Sequence, residues 1–201
     1  MKKLIVYYSL EGNTRCIARL IAETVGADLL ELKPKEDISP TGFSRFLKGG
    51  GQVLKKVQPE LLPFDKRPED YDCLIIGTPV WAWSYAPALA TFFSSTTLKN
   101  KKIALFCCSG GGPGKTLEKM KEKLAGNEFI GEIDTPRPIN RTIQGADKEW
   151  PLGHSDPDWV IWLLCFICFI DDKIYNSRRY LYKKHGIMLS AINPRRLYHE
   201  L

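Results

Sequence analysis

The stretch CSGGGPGKT, residues 108–116, carries the residue types of a phosphate-binding loop. It lies between an apolar run, IALFC, and a helical pattern, TLEKMKEKL. A triphosphate loop reads G-x-x-x-x-G-K-[ST] between a strand and a helix. Gly114, Lys115 and Thr116 supply the end of that pattern, but Ser109 stands where its first glycine belongs. Pro113 removes a backbone N–H where the cradle needs donors. No strand ends in an Asp suited to Mg²⁺, because Asp72 precedes its strand. The residues fit a wall for a flat ligand better than a triphosphate cradle. Ser109, Gly110, Gly111 and Gly112 would present bare backbone N–H groups to the ligand's polar edge, leaving Lys115 as a solvated residue in a helix's first turn.

Two further loops carry chemistry of their own. Ser9-Leu10-Glu11-Gly12-Asn13-Thr14 runs from a strand into a helix and suits an anion. A helix N-terminus offers N–H groups and the positive end of a dipole, and a glycine lets the backbone approach closely. Ordinary N-capping by Asn13 or Thr14 would explain the same residues. Thr78-Pro79-Val80-Trp81-Ala82-Trp83-Ser84-Tyr85 crowds two Trp and one Tyr after a strand. A planar ring system needs such a flat, polarizable face to stack on. Trp81 is the candidate platform, while Trp83 is expected to cap the core.

The elements that position these loops follow from periodicity. Lys3–Tyr8, Asp28–Lys33, Tyr71–Gly77, Lys102–Cys107 and Glu128–Asp134 read as strands. Thr14–Val25, Pro87–Phe93 and Thr116–Leu124 read as helices, with Gly26 as a C-cap. Residues 35–70 are polar and broken by prolines, with short helical pieces expected at Gly42–Leu47 and Gln52–Val57 on either side of Gly49-Gly50-Gly51. Alternating strands and helices imply an α/β fold with a parallel sheet covered on both faces. Ligands of such sheets bind beyond the carboxyl ends of the strands, where all three loops lie.

Residues 5–14, IVYYSLEGNT, match the flavodoxin phosphate-loop signature, Gly77–Trp81 reads GTPVW, and a glycine loop follows the fourth strand. On these motifs the chain resembles the flavodoxin-like family over about residues 3–134. The resemblance implies a doubly wound parallel five-stranded sheet in the order 2-1-3-4-5, and an FMN site. Ser9, Gly12, Asn13, Thr14 and the N–H of Arg15 would hold the phosphate. Trp81 would stack on the isoalloxazine, with Thr78, Pro79, Val80 and Ala82 along its edge and Ser109, Gly110, Gly111 and Gly112 closing the other side. No metal is implied. Two residues depart from the family's pattern. Glu11 replaces a common hydroxyl residue and is expected to point to solvent, away from the phosphate. Ala82 replaces a common glycine beside the ring, where alanine is costlier at positive φ.

The formal net charge is +6, and seven Lys or Arg against the single acid Glu200 within residues 173–201 account for all of it. Residues 1–172 are therefore formally neutral, and no nucleic-acid partner is expected. The resemblance divides the chain into a flavodoxin-like domain, 1–134, and an atypical segment, 135–201, interrupted at once by Thr135-Pro136-Arg137-Pro138. That segment holds an apolar run at 159–170 and the basic tail, which together suit a cover for the sheet, an aberrant end, or an interfacial membrane anchor. No signal peptide is visible, which suggests the cytoplasm and cysteines kept as thiols. Cys165-x-x-Cys168 sits in apolar surroundings unsuited to redox or metal work. Three readings follow: a one-electron carrier between protein partners, an FMN-dependent oxidoreductase passing hydride from NAD(P)H to a quinone-like acceptor, or a binding module that kept the fold without the cofactor.

Overall fold

Apolar side chains alternate across each strand, so neighbouring residues serve opposite faces of one sheet. The structure, a computed structural model, describes residues 1–38 and 44–136. In chain order these form β1 (Lys3–Tyr7), α1 (Asn13–Val25), β2 (Asp28–Glu31), α2 (Ser44–Leu54), β3 (Cys73–Trp81), β4 (Ser84–Tyr85), α3 (Pro87–Ser95), β5 (Lys102–Ser109), α4 (Thr116–Lys123) and β6 (Glu128–Pro136). The sheet runs β2-β1-β3-β5-β6, all parallel, with β4 paired antiparallel to the end of β3. With that hairpin strand set aside, the order is the expected 2-1-3-4-5.

Both faces of the sheet are buried, which is why its strands read as nearly unbroken apolar runs. Leu4, Val6, Leu74, Ile76, Ile103 and Leu105 pack with Leu89 and Phe92 of α3 and Met120 of α4. Ile5, Tyr7, Ile75, Ala104 and Phe106 pack on the other face against Ile17, Ile21 and Val25 of α1. Gly26 ends α1 in the left-handed conformation, as expected, and donates its N–H to Ala22 O at 2.9 Å. Between β3 and β5, Gly77 pairs with Phe106, and a Cβ on Gly77 would lie 2.0 Å from Phe106 Cζ. Any side chain there would have to displace the buried Phe106 ring.

Several boundaries differ from the sequence reading. β3 does not stop at Gly77 but continues through Trp81, because Thr78 and Pro79 pair with Cys107 and Cys108 and then Val80 and Trp81 pair with Tyr85 and Ser84. β5 continues to Ser109, and β6 runs through Thr135 and Pro136 instead of breaking there. Helix α2 is continuous across Gly49-Gly50-Gly51 instead of splitting around them. Three successive glycines cost a helix roughly 2–3 kcal/mol relative to alanine, so local propensity alone argues for the break. Tertiary contact overrides it, since Gly49 is buried against the Trp81 ring. The apolar run 159–170, the basic tail and the Cys165/Cys168 pair lie outside the described residues.

The four described cysteines are free thiols, and three of them, Cys73, Cys107 and Cys108, are buried. Burial pushes Cys73 and Cys108 up from the ordinary 9.0 to about 11, and Cys107 rises as well. The unfolded chain releases these protons near pH 9 while the native state still holds them. Stability is therefore full below about pH 9 and falls towards pH 11, by up to roughly 1.4 kcal/mol per pH unit for each thiol. Urea unfolding at pH 8, 9.5 and 10.5 is expected to show this decline, with a shallower slope in Cys73→Ala.

Candidate functional site

A cavity of about 270 Å³ opens at the carboxyl edge of the sheet. One side is the β1–α1 loop, with Ser9, Glu11, Asn13 and Thr14. A second is the end of β3 and its turn, Pro79 to Ala82. Gly49 and Gly50 of α2 supply a third, and Cys108 lies at the end of β5.

The loop end of the cavity is formed by the start of α1. Gly12 occupies the N-cap position at φ 90°, with no side-chain cap on the helix. The first bond of α1 runs from Cys16 N–H to Gly12 O at 2.9 Å, so the N–H groups of the opening turn precede the ladder. Capping by Asn13 or Thr14 is thus not what these residues do; both lie inside the helix. Ser9 Oγ and Thr14 Oγ1 are buried without hydrogen-bond partners. The neighbouring Cys108 thiol is a weak companion to Thr14 at best. A buried hydroxyl left unpaired costs about 1–3 kcal/mol, so the pair is an unmet demand beside the cavity.

The guanidinium of Arg15 turns to Glu31, with Nη2 2.6 Å and Nε 3.1 Å from Oε1, so Arg15 has only its backbone to offer an anion. Glu11 is half-exposed and lines the cavity, closer to the site than charge repulsion alone suggests.

The β3 end supplies the aromatic wall. Trp81 meets Tyr8 at right angles, with ring centroids 5.6 Å apart. Tyr8 donates its hydroxyl to Asp37 Oδ1 at 2.8 Å, and that bond together with burial pushes the phenol's pKa well up. Thr78 is fully buried and does not line the cavity. Its Oγ1 accepts the N–H of Ala86 at 3.0 Å, tying the base of the hairpin to the start of α3. Ala82 and Trp83 form a two-residue turn with φ of 46° and 54°. Such turns match the twist of a hairpin but favour Asn and Gly, so an Ala-Trp pair is strained there. Trp83 does not cap the core; it is 71% exposed. Its ring rests on Gly114, where a Cβ would lie 2.5 Å from Trp83 Cδ1, and Lys119 Nζ donates to its carbonyl at 3.3 Å. The glycine of the GKT triplet is thus a seat for a tryptophan, and Lys115 is exposed, as expected.

Of residues 108–112, Cys108 alone lines the cavity. Ser109 donates to Asp134 Oδ2 at 2.8 Å and accepts the N–H of Gly112 at 3.1 Å, while the Cys107 thiol donates to Asp134 Oδ1 at 3.3 Å. These bonds fasten the glycine loop to β6. Sequence reasoning missed Gly49, Gly50 and Cys108 as lining residues, and Asp134 as the loop's anchor. The signal for Asp134 was its place, a carboxylate near the end of the fifth apolar run, next in the sheet to a strand ending in two cysteines and a serine.

A family model described as Flavodoxin matches residues 2–132. The chain is similar to a flavoprotein of Lactobacillus acidophilus solved in complex with FMN, at 26% identity and a TM-score of 0.58, over 66% of this chain and 92% of that one. The apo form of the Lactobacillus acidophilus flavoprotein matches at 26% identity and a TM-score of 0.51, over 66% and 91%. A structure from Bacteroides uniformis, described there as a flavoprotein, shares the fold at 21% identity and a TM-score of 0.60, over 67% and 90%.

The left-handed turn leads to a simple expectation. Ala82→Gly removes the clash of a Cβ at positive φ and gives back part of the gain as unfolded-state entropy. The net stabilisation expected is roughly 0.5–1 kcal/mol, read by urea unfolding of the ligand-free protein. Unchanged or reduced stability would mean that the turn holds no strain at Ala82.

Proposed function

The chain belongs to the flavodoxin family, FMN is the cofactor its loops fit, and on that premise we propose that it is an electron-transfer flavoprotein. The observation that carries the reading is the pairing, across one cavity, of an uncapped helix start flanked by two unpartnered buried hydroxyls with an exposed-edge tryptophan wall. A phosphate meets the first demand and a flat ring the second, and FMN joins both in one molecule. Bound FMN supplies reversible one- and two-electron chemistry, which no side chain provides.

The chain's own residues bind, orient and shield. The N-terminal turn of α1 and the hydroxyls of Ser9 and Thr14 would hold the phosphate, with the helix dipole offsetting its charge. Trp81, fixed by Tyr8, would support the ring, with Pro79, Val80 and Ala82 along it. The titratable side chains lining the cavity are Glu11 and Cys108, and the thiol is pushed up to about 11. A thiol held protonated at neutral pH is no base for proton-coupled turnover of a bound substrate, which favours electron transfer to a docked partner. Hydride transfer from NAD(P)H to a quinone-like acceptor is the competing role, and the same preparation tests it.

Purified protein is expected to take up FMN with a bound-flavin absorption spectrum. Trp81→Ala should weaken binding about tenfold through lost stacking. Thr14→Val has opposite effects on the two states. It removes an unpaired buried hydroxyl, so the ligand-free protein should gain about 1 kcal/mol, while FMN affinity should fall about tenfold or more. A colourless protein indifferent to FMN sinks the reading. Rapid NADPH oxidation with a quinone would move the role from carrier to reductase.

A further inference from the structure

We propose that the glycine run of α2 is the wall that makes this cavity a slot: Gly49 spaces the Trp81 indole and Gly50 leaves clear the volume in which the flavin ring lies. The proposal rests on the FMN reading above and adds residues that neither the phosphate loop nor the aromatic turn contains.

A Cβ built on Gly49 would lie 3.2 Å from Trp81 Cε3 and 3.4 Å from both Cδ2 and Cζ3. All three atoms belong to the six-membered ring, so the helix backbone lies against the face of the indole. Tyr8 meets the same indole at 90°. Between them they set the plane of the platform: one contact fixes its tilt, the other its distance from α2. Contacts of 3.2 Å are tighter than a side chain normally accepts, so a methyl group at residue 49 must push the ring aside.

Gly50 acts differently. It lines the cavity, yet a Cβ on it would meet nothing within 4 Å. Packing therefore does not require a glycine here, and the clearance serves only what enters the cavity. Gly51 has the same freedom from contact but does not line the cavity, which makes it an internal control. Small residues alone would not mark a site. The independent sign of a ligand is the buried, partnerless pair of Ser9 Oγ and Thr14 Oγ1 at the same cavity. A chain that carries a triple glycine through a helix, and places two of the three at the cavity, gives up helix propensity for clearance.

The test is FMN affinity of the full chain, read from quenching of flavin fluorescence, with the visible circular dichroism of bound flavin as a second readout. Gly50→Leu is expected to weaken binding at least about tenfold, while Gly51→Leu changes it less than about twofold. Gly49→Ala should weaken binding about fivefold and alter the flavin dichroism, but cost less than about twofold in a Trp81→Phe background, where the smaller ring leaves room for the methyl. Should Gly50→Leu fail to fold, Gly50→Ala against Gly51→Ala makes the same comparison. A wild-type chain that does not bind FMN overturns the cofactor reading and this wall with it. A wild-type chain that binds, with Gly49→Ala and Gly50→Leu binding equally well, overturns the wall alone. Equal weakening by Gly50→Leu and Gly51→Leu also overturns it, because the effect then comes from the helix and not from the slot.

Discussion

The overrun of β3 beyond the sheet is the constraint on which the site depends. Gly77 lets Phe106 of β5 close onto the strand, and the two stay in register to Pro79 and Cys108. Past that point β5 offers no further partner to β3, and Val80 and Trp81 pair instead with β4. The indole, the strained turn and the Thr78–Ala86 bond are all consequences of that extension. A strand ending at Gly77 would leave residues 78–85 as a loose loop, and a loose loop cannot hold a stacking surface at a set angle. Here the platform stands on rigid elements, with Tyr8 of the first loop and Gly49 of α2 on two of its sides.

Unfavourable local terms collect along the same edge. Two hydroxyls are buried unpaired, two non-glycine residues of one turn are left-handed, and three glycines run through a helix. Each costs on the order of 1–3 kcal/mol by itself. A fold tolerates such costs where the surrounding core over-determines the geometry, and the two well-packed faces of the sheet do so here. Thr116 Oγ1 is likewise buried without a partner, and Lys56 and Asn100 are also left-handed, so what distinguishes the cavity is that three different kinds of such cost meet at its lining.

The parts of this picture legible in the sequence were those with a local cause. Apolar runs bounded by turn residues gave the five parallel strands and three of the helices, and SLEGNT and TPVWA gave two walls of the cavity. What stayed hidden depended on distant contacts. Nothing near Gly49 says that an indole lies on it, so propensity broke α2 in two. Ala82-Trp83 lacks the residues that signal a tight hairpin, so β4 went unseen. Trp83 was expected in the core because nothing nearby signals its seat, Gly114, which lies 31 positions on. The Ser109 side chain has a partner the sequence did not show, Asp134 of β6.

Residues 1–172 carry no formal net charge, yet the proposed site must hold a doubly charged phosphate. A cation beside the phosphate would be the obvious device, and Arg15 stands at the right place in the chain to be one. Its guanidinium is instead committed to Glu31, with a 2.6 Å contact that satisfies both charges away from the cavity. What remains at the helix start is directional: backbone N–H groups, two hydroxyls and a dipole. Such donors bind where their vectors converge, whereas a lysine or arginine would attract any anion that came near.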